Sequence, residues 1–351
     1  MRRASELLAR PATRRALTAV VAVPLLAYPW LVPNSYMRYA GVLTVMYAAL
    51  STSWNLVGGF TGYVSLGHAA FFGVGAYGTA LAVTDLGLPH AAALALGAGG
   101  TVVFAVVVGL AAVRVRGASF VIVSIALVAM TSLIAQEARD LTGGSSGLRV
   151  PPWSEGLGRN ANHALFFYLF AAVLALALTT WWFVDRSRFG AGLKAIREDE
   201  DKAEALGVPT TAYKVAVVAL SAGFTGLAGG LYGIWFGNLD PIFVFSVILG
   251  ANMVLMALLG GVRHLFGPLL GALIVAPAGE YFLTNHGETQ LHVVLSGALL
   301  AVVVLFMPDG VIPALGALAR RFGPAAASIR EETQAELRDR QERGEREEVL
   351  A

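Results

Sequence analysis

The chain has 351 residues, of which 56% are hydrophobic and 14% charged, with a formal net charge of +2 and a mean hydropathy of +0.67. A soluble protein with this balance would leave far too much apolar surface facing water. The absence of cysteine excludes disulfides, thiolate metal sites and cysteine nucleophiles.

Residues 1–15 form a basic N-terminus with five Arg. Apolar stretches then follow at about 16–33, 36–57, 60–83, 91–113, 118–135, 164–184, 213–235, 243–261, 265–283 and 290–307. A helix needs about 20 mostly apolar residues to cross a hydrocarbon core of about 30 Å. The expected fold is therefore all-α, a polytopic membrane protein with about ten transmembrane helices. The first stretch superficially resembles a signal peptide, but it is long and no small-x-small cleavage site follows it. Tyr28, Pro29 and Trp30 suit an interfacial anchor instead. The glycines inside the stretches read as close helix packing.

Gly59, Gly62, Gly67, Gly73, Gly75 and Gly78 crowd one membrane segment. Glycine weakens helices, so a broken or tightly packed element is expected there. Broken helices at membrane depth line a cavity or lie within protein. Two readings of Ser65 and His68 stand: they face a path for a zwitterion, or they are hydrogen-bonded packing residues. Gly59-Phe60-Thr61-Gly62 recurs as Gly223-Phe224-Thr225-Gly226, which suits either a parallel duplication or a chance match of glycine-rich sequence.

The segment 136–163 carries Gly143-Gly144-Ser145-Ser146-Gly147 and Pro151-Pro152-Trp153, which is loop chemistry. It is either a flexible connection or an external docking surface. The polar segment 185–212 is expected to be helical from Leu193 to Leu206, with Gly207 and Pro209 as stop signals. Its apolar positions are Leu193, Ile196, Ala203 and Leu206. Its centre, Glu198-Asp199-Glu200-Asp201, is acidic and disfavours anionic lipid, so a protein partner is the expected cover. The tail Ile329–Leu350 is rich in Arg and Glu, with Glu336–Arg340 and Glu342–Arg346 at helical spacing, and reads as solvated.

With both termini inside, 21 of the 25 Lys and Arg fall in inside segments and 4 outside. This is the asymmetry expected of a bacterial inner-membrane protein with cytoplasmic termini. The three lysines, Lys194, Lys202 and Lys214, follow Leu, Asp and Tyr. No Gly-Lys pair exists for a phosphate-binding loop, so ATP would be bound by a partner and no enzyme activity is expected of this chain. Ionisable groups well inside the stretches are His68 and Glu280, with Arg38 and Glu137 near ends. That is a thin supply for a stand-alone ion-coupled transporter.

Trp54-Asn55-Leu56, Gly62-Tyr63-Val64-Ser65-Leu66-Gly67-His68-Ala69-Ala70-Phe71-Phe72-Gly73 and Gly75-Ala76-Tyr77 resemble the signature of the branched-chain amino-acid ABC importer permeases. Leu193-Lys194-Ala195-Ile196-Arg197-Glu198, Ala205-Leu206-Gly207, Leu258-Leu259-Gly260-Gly261, Gly267-Pro268, Gly271-Ala272 and Pro308-Asp309-Gly310 are similar to its LivM-type subunit. The resemblance covers roughly 36–312. It implies half of a translocation pore, paired with a LivH-type permease, two ABC ATPase subunits and an extracytoplasmic substrate-binding protein, in contact with lipid, without nucleic acid and without cofactor. The apolar stretches themselves set the expected domains, a transmembrane permease domain over 16–312 and a cytoplasmic charged tail over 313–351. The pathway residues expected are Asn55, Ser65, His68, Tyr77 and Glu280. Those for coupling to the ATPase are Leu193, Ile196, Arg197, Glu198, Glu204, Leu206 and Gly207. Leu193, Ile196 and Leu206 are expected as apolar anchors, with the Arg197–Asp201 charges at the rim. Related permeases would carry urea, short amides or other small carboxylates, so the substrate stays open.

Overall fold

The computed structural model describes residues 27–112, 115, 117–153 and 156–286, with isolated positions between 294 and 311. Most of the expected stretches 16–33 and 290–307, and the whole charged tail, lie outside the described residues.

The elements run as α1 (Ser35–Thr61), α2 (His68–Thr84), α3 (His90–Ala112), α4 (Ala118–Glu137), α5 (Arg139–Thr142), a 3-10 turn (Gly144–Ser146), β1 (Leu148–Arg149), α6 (Arg159–Arg186), α7 (Arg188–Glu198), α8 (Glu200–Ala205), α9 (Thr210–Phe236), β2 (Asn238–Leu239), α10 (Pro241–Val244), α11 (Val247–Gly260) and α12 (Gly267–His286). Among the described residues, seven helical runs are long and apolar enough to cross a membrane: α1, α3, α4, α6, α9, Pro241–Gly260 and α12. The chain is thus mostly helical, as its composition requires.

Four sequence expectations change. The stretch 60–83 is not one helix. α1 continues to Thr61 and stops at Gly62, whose φ of 74° is the left-handed cap that glycine adopts without penalty. Residues 62–67 are non-helical, and α2 has only 17 residues, about 26 Å of rise. The helix expected over 193–206 is two helices meeting at Asp199, whose side chain accepts from the Lys202 amide and so starts a new helix. The loop 136–163 holds α5, a 3-10 turn and β1, and β1 pairs antiparallel with β2 through Leu148↔Leu239 and Arg149↔Asn238, a small exception to the all-α expectation. The repeated Gly-Phe-Thr-Gly is helical in both copies over its first three residues, but its last glycine differs: Gly62 caps a helix end, whereas Gly226 lies mid-helix in α9.

The core forms where α9 packs along α2 and α3, and where α1 packs along α6. Glycine sets the closeness of the first group. A Cβ at Gly75 would lie inside the backbone of Gly226, and one at Gly229 would strike the Phe72 carbonyl. Lipid tails are as apolar as leucine, so helix association in a membrane rests on such close contact rather than on hydrophobic burial.

Gly75→Ala or Gly229→Ala is expected to push α2 from α9 and destabilise the bundle by about 1–3 kcal/mol. Gly99→Ala, where nothing lies within 4 Å, is the neutral comparison. Thermal unfolding in detergent checks this; equal midpoints for all three variants would contradict the close packing.

Candidate functional site

The break between α1 and α2 folds back into the bundle. His68, the first residue of α2, pairs through Nε2 with Ser221 Oγ at 2.8 Å. Ser221 Oγ in turn donates to the Ser53 carbonyl at 2.5 Å. Ser53 stands eight residues before the end of α1, about 12 Å of helix rise. The connection 62–67 therefore climbs back into the bundle as non-helical chain, which is why α2 is short. A serine hydroxyl has one hydrogen. With Ser221 giving it to Ser53, the matching tautomer has His68 donating from Nε2, and Nδ1 is left buried with no partner among the described residues.

Backbone groups of the connection are met by side chains. Trp54 Nε1 donates to the Ser65 carbonyl at 2.7 Å. The Leu66 amide donates to Ser124 Oγ at 3.1 Å, and the Gly67 amide to Ser65 Oγ at 3.3 Å. His68 and Ser53 are fully buried, and Ser65 nearly so. A cavity of about 40 Å³ lies beside Ser65, lined also by Gly67, Phe71, Ser124, Leu127 and Val218. Ligand pockets are about 300–1,000 Å³, so this cavity is closed to anything larger than water.

The other sequence-suggested pathway residues sit apart. Asn55 is fully buried, two turns from the end of α1. Neither of its amide atoms, nor the Thr52 hydroxyl one turn earlier, has a hydrogen-bond partner among the described residues. Each such orphan costs about 1–3 kcal/mol. Tyr77 stacks on Phe245 at 5.8 Å and donates to the Leu239 carbonyl at 3.1 Å, beside the two-strand ladder. Glu280 is half-buried on α12, 3.5 Å from Thr284 Oγ1, which reaches Tyr36 near the start of α1. Ser65 and His68 are thus brought together, while Asn55, Tyr77 and Glu280 are spread along the bundle.

The segment α7–α8 is amphipathic as expected, but its apolar face is covered by the chain itself. Leu193 and Ile196 are buried with Leu56, Val57, Phe60, Trp181, Val184 and Val217. They cannot be anchors for a separate subunit. Leu206 lies beyond α8 and is 84% exposed. Glu198, Glu204 and Gly207 are exposed as well. Helical spacing showed which face was apolar; it carried no information on what would cover it.

Two charges placed at the rim by the sequence reading instead point inward. Arg197 Nη1 donates to the Gly59 carbonyl at 2.9 Å, one of the acceptors that the end of α1 leaves without an intrahelical donor. Glu200 Oε1 accepts from Lys214 Nζ at 2.6 Å, and Glu200 Oε2 accepts from Tyr63 Oη at 2.5 Å. The Lys214 and Glu200 side chains are 5% and 10% exposed. Removing one partner of such a buried pair costs about 3–5 kcal/mol. Lys194 pairs with Asp185 at 2.7 Å and Lys202 with Asp199 at 2.8 Å, so all three lysines are paired. The Lys202 hydrogen bond holds the Asp199 carboxyl below its ordinary range. Tyr63, Lys214, Ser53, Ser124 and Ser221 escaped the site reading. Their partners lie up to 168 residues away in sequence, and only the charge of Lys214 at the mouth of an apolar helix was a signal.

A family model described as branched-chain amino acid transport system / permease component matches residues 36–304. The high-affinity branched-chain amino acid transport system permease protein LivM of Salmonella typhimurium is 25% identical over 82% of this chain and 72% of its own length. The corresponding LivH of Escherichia coli is 28% identical over 76% of this chain and 91% of its own. BraD of Pseudomonas aeruginosa is 25% identical over the same shares, 76% and 91%. No solved structure matches the chain.

The contrast between satisfied and orphaned polar groups gives a stability test. Ser221→Ala strands the His68 donor and is expected to cost about 1–3 kcal/mol. Asn55→Leu removes two orphans at similar volume and is expected to leave the thermal midpoint unchanged or raised. A large loss for Asn55→Leu would show that the amide has partners after all.

Proposed function

The chain belongs to the family of branched-chain amino acid transport permease components, and from that premise we propose that it forms half of the translocation pathway of an importer for branched-chain amino acids. As a membrane permease component it performs no chemistry of its own. The observation that carries the reading is the extent of the family match: residues 36–304 take in α2 to α12 whole and α1 but for its first residue. The substrate follows the relatives, whose names all specify branched-chain amino acid transport.

Ten crossings are our count: the seven apolar runs, α2 with its non-helical lead-in, and the stretches 16–33 and 290–307. Placing 185–212 and both termini in the cytoplasm puts 21 of 25 basic residues inside. The permease domain is then 16–312 and the tail 313–351. The ladder of β1 and β2 faces outward, toward a substrate-binding protein. A LivH-type permease supplies the other half of the pathway and two ATP-binding subunits drive it.

The pathway runs beside the connection 62–67, with Ser65, His68 and the orphaned Asn55 as its polar groups and Tyr77 and Glu280 further out. A buried amide without partners among the described residues is poised to serve a zwitterion or water once the bundle opens. The 40 Å³ cavity is closed in this conformation, and alternating access must widen it. Coupling to the ATPase runs through the exposed tip positions Glu198, Glu204, Leu206 and Gly207, with Leu206 as the apolar contact. Leu193, Ile196 and Arg197 hold the tip to the permease.

Leu206→Asp is expected to lower leucine uptake and uptake-linked ATP hydrolysis at least about tenfold, because a charge must then enter the partner's apolar groove. Membrane insertion stays normal, since Leu206 touches little of its own chain. A cysteine at Glu204 is expected to crosslink to an ATP-binding subunit. Normal uptake by Leu206→Asp with no crosslink from 204 would overturn the coupling assignment.

A further inference from the structure

We propose that Tyr63, Glu200 and Lys214, together with Arg197 on the Gly59 carbonyl, form a transmission joint that makes the α7–α8 segment and the re-entrant connection 62–67 move as one unit. The proposal rests on the permease reading above and deepens it: these four are positioning residues for the transport cycle.

Three separate pieces of chain meet on one carboxylate. Tyr63 belongs to the connection, Glu200 opens α8, and Lys214 lies in the first turns of α9. Both Glu200 oxygens are engaged, one by Lys214 Nζ at 2.6 Å and one by Tyr63 Oη at 2.5 Å. Lys214 Nζ also stands 5.3 Å from the centre of the Tyr63 ring, within range of a cation–π contact. Burial of the Lys214–Glu200 pair strengthens the electrostatics that water would otherwise screen. The carboxylate therefore holds the connection to the segment without compliance.

A second attachment lies one turn away. Arg197 Nη1 reaches Gly59 O, and its Cγ sits 2.9 Å from where a Gly62 Cβ would be. With φ of 74°, Gly62 admits the arginine stem only because it has no side chain. The segment thus grips both sides of the chain reversal, the end of α1 and the start of the connection.

The far end of the connection carries Ser65 and, next after Gly67, His68. Only one residue, Val64, separates Tyr63 from Ser65. A chain that short cannot absorb a displacement of Tyr63, so it passes to Ser65 and on to the His68–Ser221–Ser53 chain. The other face of the segment is the exposed tip with Leu206. The path from tip to pathway is a contiguous series of packed groups, which can carry coupling if the opened pathway supplies their second arrangement.

Tyr63→Phe is the sharpest test. It deletes one hydroxyl and leaves the ion pair, the ring and the fold intact. The readout is leucine uptake per ATP hydrolysed, in proteoliposomes holding the complex with its co-expressed ATP-binding, permease and binding-protein subunits. A merely structural role lowers both rates together and leaves that ratio unchanged. The joint predicts unchanged basal hydrolysis and a fall in the ratio of about fivefold or more, the lower edge of ordinary allosteric coupling. Glu200→Gln, which keeps an acceptor for Tyr63 but removes the charge that holds Lys214, is expected to assemble less well and to lower the ratio as well. An unchanged ratio for Tyr63→Phe refutes the joint while leaving the permease reading in place. Wild-type vesicles that hydrolyse ATP but take up no leucine would refute the leucine-permease reading, and the joint would fall with it.

Discussion

Non-helical backbone inside a lipid-embedded bundle must find protein partners for its polar groups, because water is not there to supply them. Residues 62–67 meet that demand with Trp54 on the Ser65 carbonyl, Ser124 on the Leu66 amide and Ser65 on the Gly67 amide. Arg197 does the same for the Gly59 carbonyl at the end of α1. Each partner, two donors (Trp54, Arg197) and two acceptors (Ser124, Ser65), comes from a different part of the fold: α1 itself, α7, α4 and the connection. The connection can exist only where these elements converge, and their convergence in turn depends on it.

The rest of the bundle follows from that convergence. α2 begins deep because its lead-in has already climbed about 12 Å alongside α1. It can lie that close to α9 only where side chains are absent, at Gly75 and Gly229, while Gly226 makes the same room for Thr101 of α3. The buried polar groups divide into two kinds. His68 Nε2, Ser221 and the Ser53 carbonyl form a chain of hydrogen bonds that rigidifies, although His68 Nδ1 has no partner among the described residues. Asn55 and Thr52 are buried without partners among the described residues, which stores an unmet demand in the same helix. A transporter needs both, a frame that keeps its shape and polar groups that gain when the path opens.

Helical membrane architecture was plain in the sequence, because stretches of about 20 apolar residues admit few other structures. The crowd of glycines from Gly59 to Gly78 correctly signalled a break, since glycine is a poor helix former. Its position was not legible, because it is decided by Trp54, Ser124 and Arg197, which are local neither to the break nor to one another. In the polar segment, periodicity identified Leu193 and Ile196 as a face to be buried. The chain's own Phe60 and Trp181 cover that face, which periodicity has no means to distinguish from a partner. Asp199, by contrast, was readable: an aspartate three residues before Lys202 in a charged run is a plausible helix start, and the helix indeed restarts there. The Glu200–Tyr63 contact joins residues 137 apart and leaves no trace in local pattern.

The central claim is that the exposed segment and the buried connection are one mechanical unit. Because the chain has no cysteine, Val64→Cys with Glu204→Cys accepts two spin labels specifically once its partner subunits are made cysteine-free. Their separation can be measured by pulsed electron resonance in the nucleotide-free complex and in the complex trapped with ATP. The account predicts the same distance distribution in both states, while a third label at Leu141 changes its distance to either site. A shift of several Å between positions 64 and 204 on ATP binding would contradict it.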